Sequence, residues 1–238
     1  MASTIVTPSR RATRSTVALK ALMAVSGLIM YGYLILHMAG NLWVFAGQQA
    51  FDTYAHHLRV LGEPMLPHNS VLWVARLVLL AGLIAHVWSA VLLSKRSHHA
   101  RGGAGKRYES GQHKRGVQRS YASFTLRWGG AVIALFVIYH LLHLTFNVVA
   151  PGGASDSPYQ RYVNGFGIWW VLLSYVIALI AVGFHLRHGL WSGLTTLGAN
   201  FSPATRRGLN LVAIGVALVI TVGFLTPPVL IFLGVVGA

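Results

Sequence analysis

The chain contains no cysteine and only four acidic residues, Asp52, Glu63, Glu109 and Asp156. The first absence excludes disulfides, iron–sulfur ligation by this chain and thioether attachment of a cofactor. The second excludes a carboxylate relay through the interior, because all four acids fall between the apolar runs. No Ser-His-Asp arrangement and no nucleotide-binding loop is legible, so substrate chemistry is expected elsewhere. Charge is also scarce: 10% of the 238 residues are charged, against about 25% in an average soluble domain.

What replaces the missing charge is apolar sequence, at 55% of the chain. Five runs carry it: 20–46, 70–94, 128–149, 167–192 and 209–236. Each reaches the roughly 20 residues that cross a hydrocarbon layer of about 30 Å. Backbone groups in lipid must satisfy one another, so the runs are expected to be helices. The fold class is therefore an all-α integral membrane protein with five transmembrane helices. A basic segment, 1–18, precedes one membrane domain over 19–238. The first run is too long for a signal-peptide core and reads as a retained helix.

The net charge of +15 is not spread in the manner of a nucleic-acid binder. Sixteen of the nineteen Lys and Arg fall in three clusters. These are Arg10, Arg11, Arg14 and Lys20; the nine from Lys95 to Arg127; and Arg187, Arg206 and Arg207. With five spans alternating sides, all three clusters lie on one side, which the positive-inside rule makes cytoplasmic. The N-terminus is then cytoplasmic, the C-terminus outside, and the location a cytoplasmic membrane.

Among the connections, 47–69 contains Phe51, Tyr54, His56, His57, Leu58 and Arg59, the composition of a short interfacial helix. The basic 95–127 loop suits either anionic headgroups or a cytoplasmic partner. The stretch 150–166 reads as a turn-rich connection, and Pro227-Pro228 predicts a kink or an early end in the fifth helix.

Histidine is the residue that stands out. Each of the first four runs carries it: His37, His86, His140 with His143, and His185 with His188. The fifth carries none. Depth follows from a rise of 1.5 Å per residue, counted from the inner end of each run. His37 lies roughly 24 Å up, His140 roughly 18 Å and His143 roughly 22 Å. His86 lies roughly 10 Å from the inner edge and His185 roughly 8–14 Å. Two levels result: His37 with a third-helix histidine, and His86 with a fourth-helix one. A b-type haem held by two imidazoles needs one ligand on each face, at one depth, from different helices. The sequence supplies that arrangement twice, in a bundle of the first four helices. Members of an i, i+3 doublet lie only about 4.5 Å apart along the axis. One therefore ligates, while the other meets a propionate, a quinone or water. Depth alone favours His143 over His140. Gly27, Gly32, Gly82, Gly129, Gly130 and Gly183 suit close packing beside a flat cofactor or between helices.

Five segments, in this order and spacing, resemble the cytochrome b membrane anchors of succinate:quinone oxidoreductases, in their single-chain, five-helix, dihaem form. They are Ser26-Gly27 through His37-Met38-Ala39-Gly40-Asn41-Leu42; Phe51-Asp52-Thr53-Tyr54-Ala55-His56; Ala85-His86-Val87-Trp88; Tyr139-His140-Leu141-Leu142-His143; and Phe184-His185-Leu186-Arg187-His188-Gly189-Leu190-Trp191-Ser192, followed by Thr196-Leu197-Gly198 and Ser202-Pro203. The resemblance implies two b haems, one on His37 and His140 and one on His86 and His185, the first histidine of each doublet. It implies a subunit that does not bind succinate, seated on an iron–sulfur subunit and an FAD-bearing flavoprotein, in a complex open to higher oligomers. Electrons would pass to a quinone, commonly menaquinone in this architecture.

A quinone carbonyl needs hydrogen-bond donors near a cofactor edge. Glu63, His57, Arg59 and Tyr54 are candidates on the outer side, and Ser26, Arg187 and His188 on the inner. Two other readings compete: the cytochrome b subunit of a formate dehydrogenase or hydrogenase, and a haemless transporter whose histidines bind substrate or protons. The direction of the reaction, succinate oxidation or fumarate reduction, is not written in the chain.

Overall fold

The computed structural model describes residues 15–100, 117–199 and 201–237. Arg10, Arg11 and Arg14, and the basic stretch from Arg101 to Arg115, lie outside the described residues. Among the described residues every element is helical: α1 (Thr16–Asn41), α2 (Gln48–Val60), α3 (Ser70–Ala100), α4 (Val117–His140), α5 (Pro158–Phe166), α6 (Trp169–Thr196) and α7 (Pro203–Phe232). A 3₁₀ turn, Leu42–Ala46, extends α1, and a π turn, Leu141–Thr145, extends α4. Five of the helices are long and apolar enough to cross a membrane. Their outward surface is apolar: Leu36, Leu77, Leu135 and Val219 each expose more than half of their area. In lipid such a surface needs no cover.

Local chemistry explains where the helices start and stop. Ser15, Ser157 and Ser202 each accept a hydrogen bond from a first-turn backbone N–H, and the last two are followed by proline at the first helical position. Gly198, at φ +95°, ends α6 in the left-handed conformation that glycine adopts without a Cβ clash. Gly47, at φ +86°, turns the chain from the 3₁₀ segment into α2.

The packing order is α3 on α1, α1 on α6, and α6 on α4, with α7 against both α6 and α1. Among the described residues, α1 with α4 and α3 with α6 make at most slight contact. Two buried clusters hold the assembly. One joins Tyr31 of α1 to Leu179, Leu186 and Leu190 of α6 and to Ala213, Ala217, Ile220 and Phe224 of α7. The other lies at the α2/α5 end and is aromatic: Phe51, Tyr159, Tyr162, Phe166 and Tyr175 with Val44, Val171 and Ile231. Burial there pushes the Tyr162 phenol above its ordinary range, so it stays neutral.

Two expectations are corrected. The 150–166 stretch is more than a turn-rich connection, because its second half is α5. The glycines at 152 and 153 make the turn, and the Ser157-Pro158 start signal opens a helix whose aromatic side chains are buried. Of the two outcomes expected at Pro227-Pro228, a kink or an early end, the early end does not occur, because the fifth helix runs on to Phe232. Both rings are fully buried, and that packing offsets the backbone bonds that two prolines cannot make.

The expected helix in 47–69 is present as α2, and it clasps α5. The Asp52 carboxylate accepts hydrogen bonds from Ser157 Oγ at 2.6 Å and from the Tyr159 N–H at 3.0 Å. Bonds to a charged acceptor contribute about 1.5–3 kcal/mol each. Asp52→Ala is therefore expected to loosen this end locally, seen as faster backbone hydrogen exchange over 155–166 with the spanning helices unchanged.

Candidate functional site

The structure brings the histidines together in two pairs. His37 of α1 and His140 of α4 have ring centroids 5.8 Å apart, edge to face. His86 of α3 and His185 of α6 have centroids 6.1 Å apart, again edge to face. Each pair joins two helices that make at most slight contact with one another among the described residues.

Their separation can be read from two helices independently. The His86 ring lies against Met23 and Gly27 of α1, 10–14 residues before His37, a distance of roughly 15–20 Å along the axis. On α6, Tyr175 lies beside His140, ten residues before His185, or roughly 15 Å. The pairs therefore occupy two levels.

His86 is held from behind. Its Nδ1 is 3.1 Å from the Met23 carbonyl, which makes Nδ1 the protonated nitrogen and leaves the Nε2 lone pair free. A Cβ on Gly27 would stand 3.2 Å from His86 Cε1, tighter than ordinary contact, so a glycine there gives the ring its room. His37 stacks on Tyr33 at 5.2 Å and meets Phe224 of α7 at 5.7 Å. The fifth helix thus lines the outer pair, although it has no histidine. His140 lies beside Phe136 and Tyr175, and its Nδ1 is 3.4 Å from the Tyr175 hydroxyl.

His143 takes another course. It is 1% exposed, lies among Tyr139, Phe166 and Tyr175, and its Nδ1 is 3.0 Å from the Tyr175 hydroxyl. The structure sets His140, not His143, against His37, so at this doublet the contact and the count of rise per residue point to different members. His188 packs beside Trp191 at 6.3 Å rather than facing His86.

The quinone candidates are not gathered into one place. Glu63 turns its carboxylate to His68, 2.9 Å away at an exposed position. Tyr54 stacks on Trp43 at 5.8 Å and covers Gly40. Arg59 and His57 are exposed on α2. Ser26 is buried and donates its hydroxyl to the Leu22 and Met23 carbonyls of its own helix. Arg187 is half-buried on α6 beside His188.

Tyr175, Tyr33 and Phe224 were not singled out from the sequence. For Tyr175 a signal existed: counting ten residues back from His185 reaches the level of the third-helix histidines.

Among the described residues no cluster of three or more His, Cys, Asp or Glu could hold a metal ion by itself. The histidines meet only in twos. A pair of facing imidazoles completes a metal's coordination when a cofactor supplies the remaining ligands, and a porphyrin supplies four in a plane. Facing rings 5.8 and 6.1 Å apart, a fixed tautomer at His86 and a glycine beside its ring all fit that group.

Residues 112–224 match the family described as Succinate dehydrogenase/Fumarate reductase transmembrane subunit. The chain is also similar to the Succinate dehydrogenase cytochrome b558 subunit of Bacillus subtilis, with 24% identity over 189 residues, covering 79% of this chain and 83% of that protein. No solved structure matches.

Proposed function

We propose that this chain, whose family match and Bacillus relative support a cytochrome b membrane subunit of succinate dehydrogenase, anchors that complex and carries its electrons to a quinone. The relative is named a cytochrome b, which implies haem b. In this reading two b haems are held, one by His37 and His140 and one by His86 and His185. The observation that carries it is the meeting of four histidines in two facing pairs. When bound, the haem supplies one-electron chemistry at iron.

The chain's own residues do the remainder. Met23 orients His86, Gly27 makes room for it, and Tyr33 and Phe224 wall in His37. Two levels within one bundle provide a route from the basic face, where the iron–sulfur subunit docks and the FAD-bearing flavoprotein lies beyond it, toward the α2/α5 face. The acceptor is menaquinone or another quinone, with Ser26 and Arg187 or Tyr54, Arg59 and Glu63 at its site. The basic side is cytoplasmic, the membrane is a bacterial cytoplasmic membrane, and the complex associates further. The family match and the relative favour succinate dehydrogenase over a formate dehydrogenase or hydrogenase subunit and over a haemless transporter.

The chain extracted from native membrane is expected to bring a flavoprotein that oxidises succinate, and its reduced-minus-oxidised spectrum is expected to show a b-type α-band. A colourless preparation would end the cytochrome reading. The doublet has its own test: His140→Ala should lose one of two haems, and His143→Ala should keep both.

A further inference from the structure

We propose that Tyr175 is a positioning residue for His140: its hydroxyl fixes the imidazole from behind and is itself fixed by His143. This rests on His140 being a haem ligand, and it gives the second histidine of the doublet a task.

A ligating imidazole presents Nε2 to the metal and carries its proton on Nδ1, where a second group must receive it. For His86 that group is a backbone carbonyl, Met23 O at 3.1 Å. For His140 the group at Nδ1 is the Tyr175 hydroxyl, at 3.4 Å. That separation is long for a hydrogen bond. Metal on Nε2 withdraws electrons from the ring and makes Nδ1–H a stronger donor, which shortens it.

The hydroxyl cannot wander. The Tyr175 ring meets Phe136 at 4.9 Å and Phe166 at 4.7 Å, both edge to face, and is 4% exposed. On its other side stands His143 Nδ1, at 3.0 Å. His143 is closed in by the backbone of Gly165, which leaves no space for a Cβ at Nε2. That Nε2 is buried without a hydrogen-bond partner. Leaving a buried polar atom unpaired costs about 1–3 kcal/mol, so a histidine kept at such a place has its use at the other nitrogen. The π turn Leu141–Thr145 begins directly after His140. His140 meets His37, His143 lies among Tyr139, Phe166 and Tyr175, and the two histidines share one hydroxyl.

Receiving the Nδ1 proton in a hydrogen bond raises the imidazole's basicity and favours ferric over ferrous iron. In the complex isolated with its partner subunits, Tyr175→Phe is expected to keep two haems and to raise the potential of one. Its ferrous-to-ferric ratio at a fixed potential should rise about tenfold, which is about 59 mV for one electron. The second haem, on His86 and His185, is the internal control and should not move. Potentiometric titration of the α-band reads both, and the low-spin ferric signal of the first haem should shift with it. Should Tyr175→Phe fail to assemble, His143→Leu leaves both haems bound and moves the potential of the same haem alone. Two haems with both potentials unmoved, or both moved alike, would overturn the role given to Tyr175. A His140→Ala complex that retains two haems would instead overturn the ligand assignment beneath it.

Discussion

On the proposed dihaem reading, His86→Ala is expected to halve the haem content of the purified complex, from two per chain to one, and to halve the b-type α-band. His86 is the histidine whose surroundings are most completely prepared: Met23 O holds Nδ1 at 3.1 Å, and the missing side chain at residue 27 leaves the ring its place. Alanine removes the ring and leaves His185 with no facing imidazole. Nothing else among the described residues can replace it, because His188, one turn further along α6, packs on Trp191. The other pair, roughly 15–20 Å away along α1, shares no side chain with this one, so its haem should stay. Succinate-driven quinone reduction should fall with the lost haem, while oxidation of succinate by the flavoprotein with an artificial acceptor should not. Two intact haems in His86→Ala would sink the ligand set.

Gly165→Ala is expected to be strongly destabilising. The added carbon would overlap His143 Nε2. Neither partner has room to yield: His143 is 1% exposed, Phe166 is fully buried on the next residue, and Tyr175 closes the far side. Overpacking of this kind costs about 1–3 kcal/mol. A second effect follows, since a displaced His143 lets go of Tyr175. The complex should lose thermal stability in detergent, and the haem proposed for His37 and His140 should change potential. His143→Ala in the same chain removes the clash and should restore the stability but not the potential. A Gly165→Ala complex as stable as the parent would show that α5 moves freely over the site.

How much of this was legible in the sequence depends on the range of the cause. The five spans follow from runs of apolar residues, and the side of each loop was inferred from where Lys and Arg fall. The two levels of histidine follow from a fixed rise per residue, and His37 with His140 and His86 with His185 are the pairs the structure brings together. Helix α5 went unread because two glycines made its whole neighbourhood look like a turn, although Ser157-Pro158 announces a helix start. The proline pair near the end of α7 misled for a different reason. Local rules count the bonds that Pro227 and Pro228 cannot make, and the burial that compensates them comes from other helices.

Composition, a run length, a rise per residue and the order of the histidines are properties of the chain alone. They determined an all-helical membrane protein with imidazoles at two depths. Which member of the third-helix doublet faces His37 was decided by contacts distant in sequence. His143 sits in a π turn, a tyrosine 32 residues further on meets it, and the glycine of the short helix α5 closes over it. Spacing of three along a helix puts two side chains on one face. Only the neighbours packed against that face choose which of them meets His37.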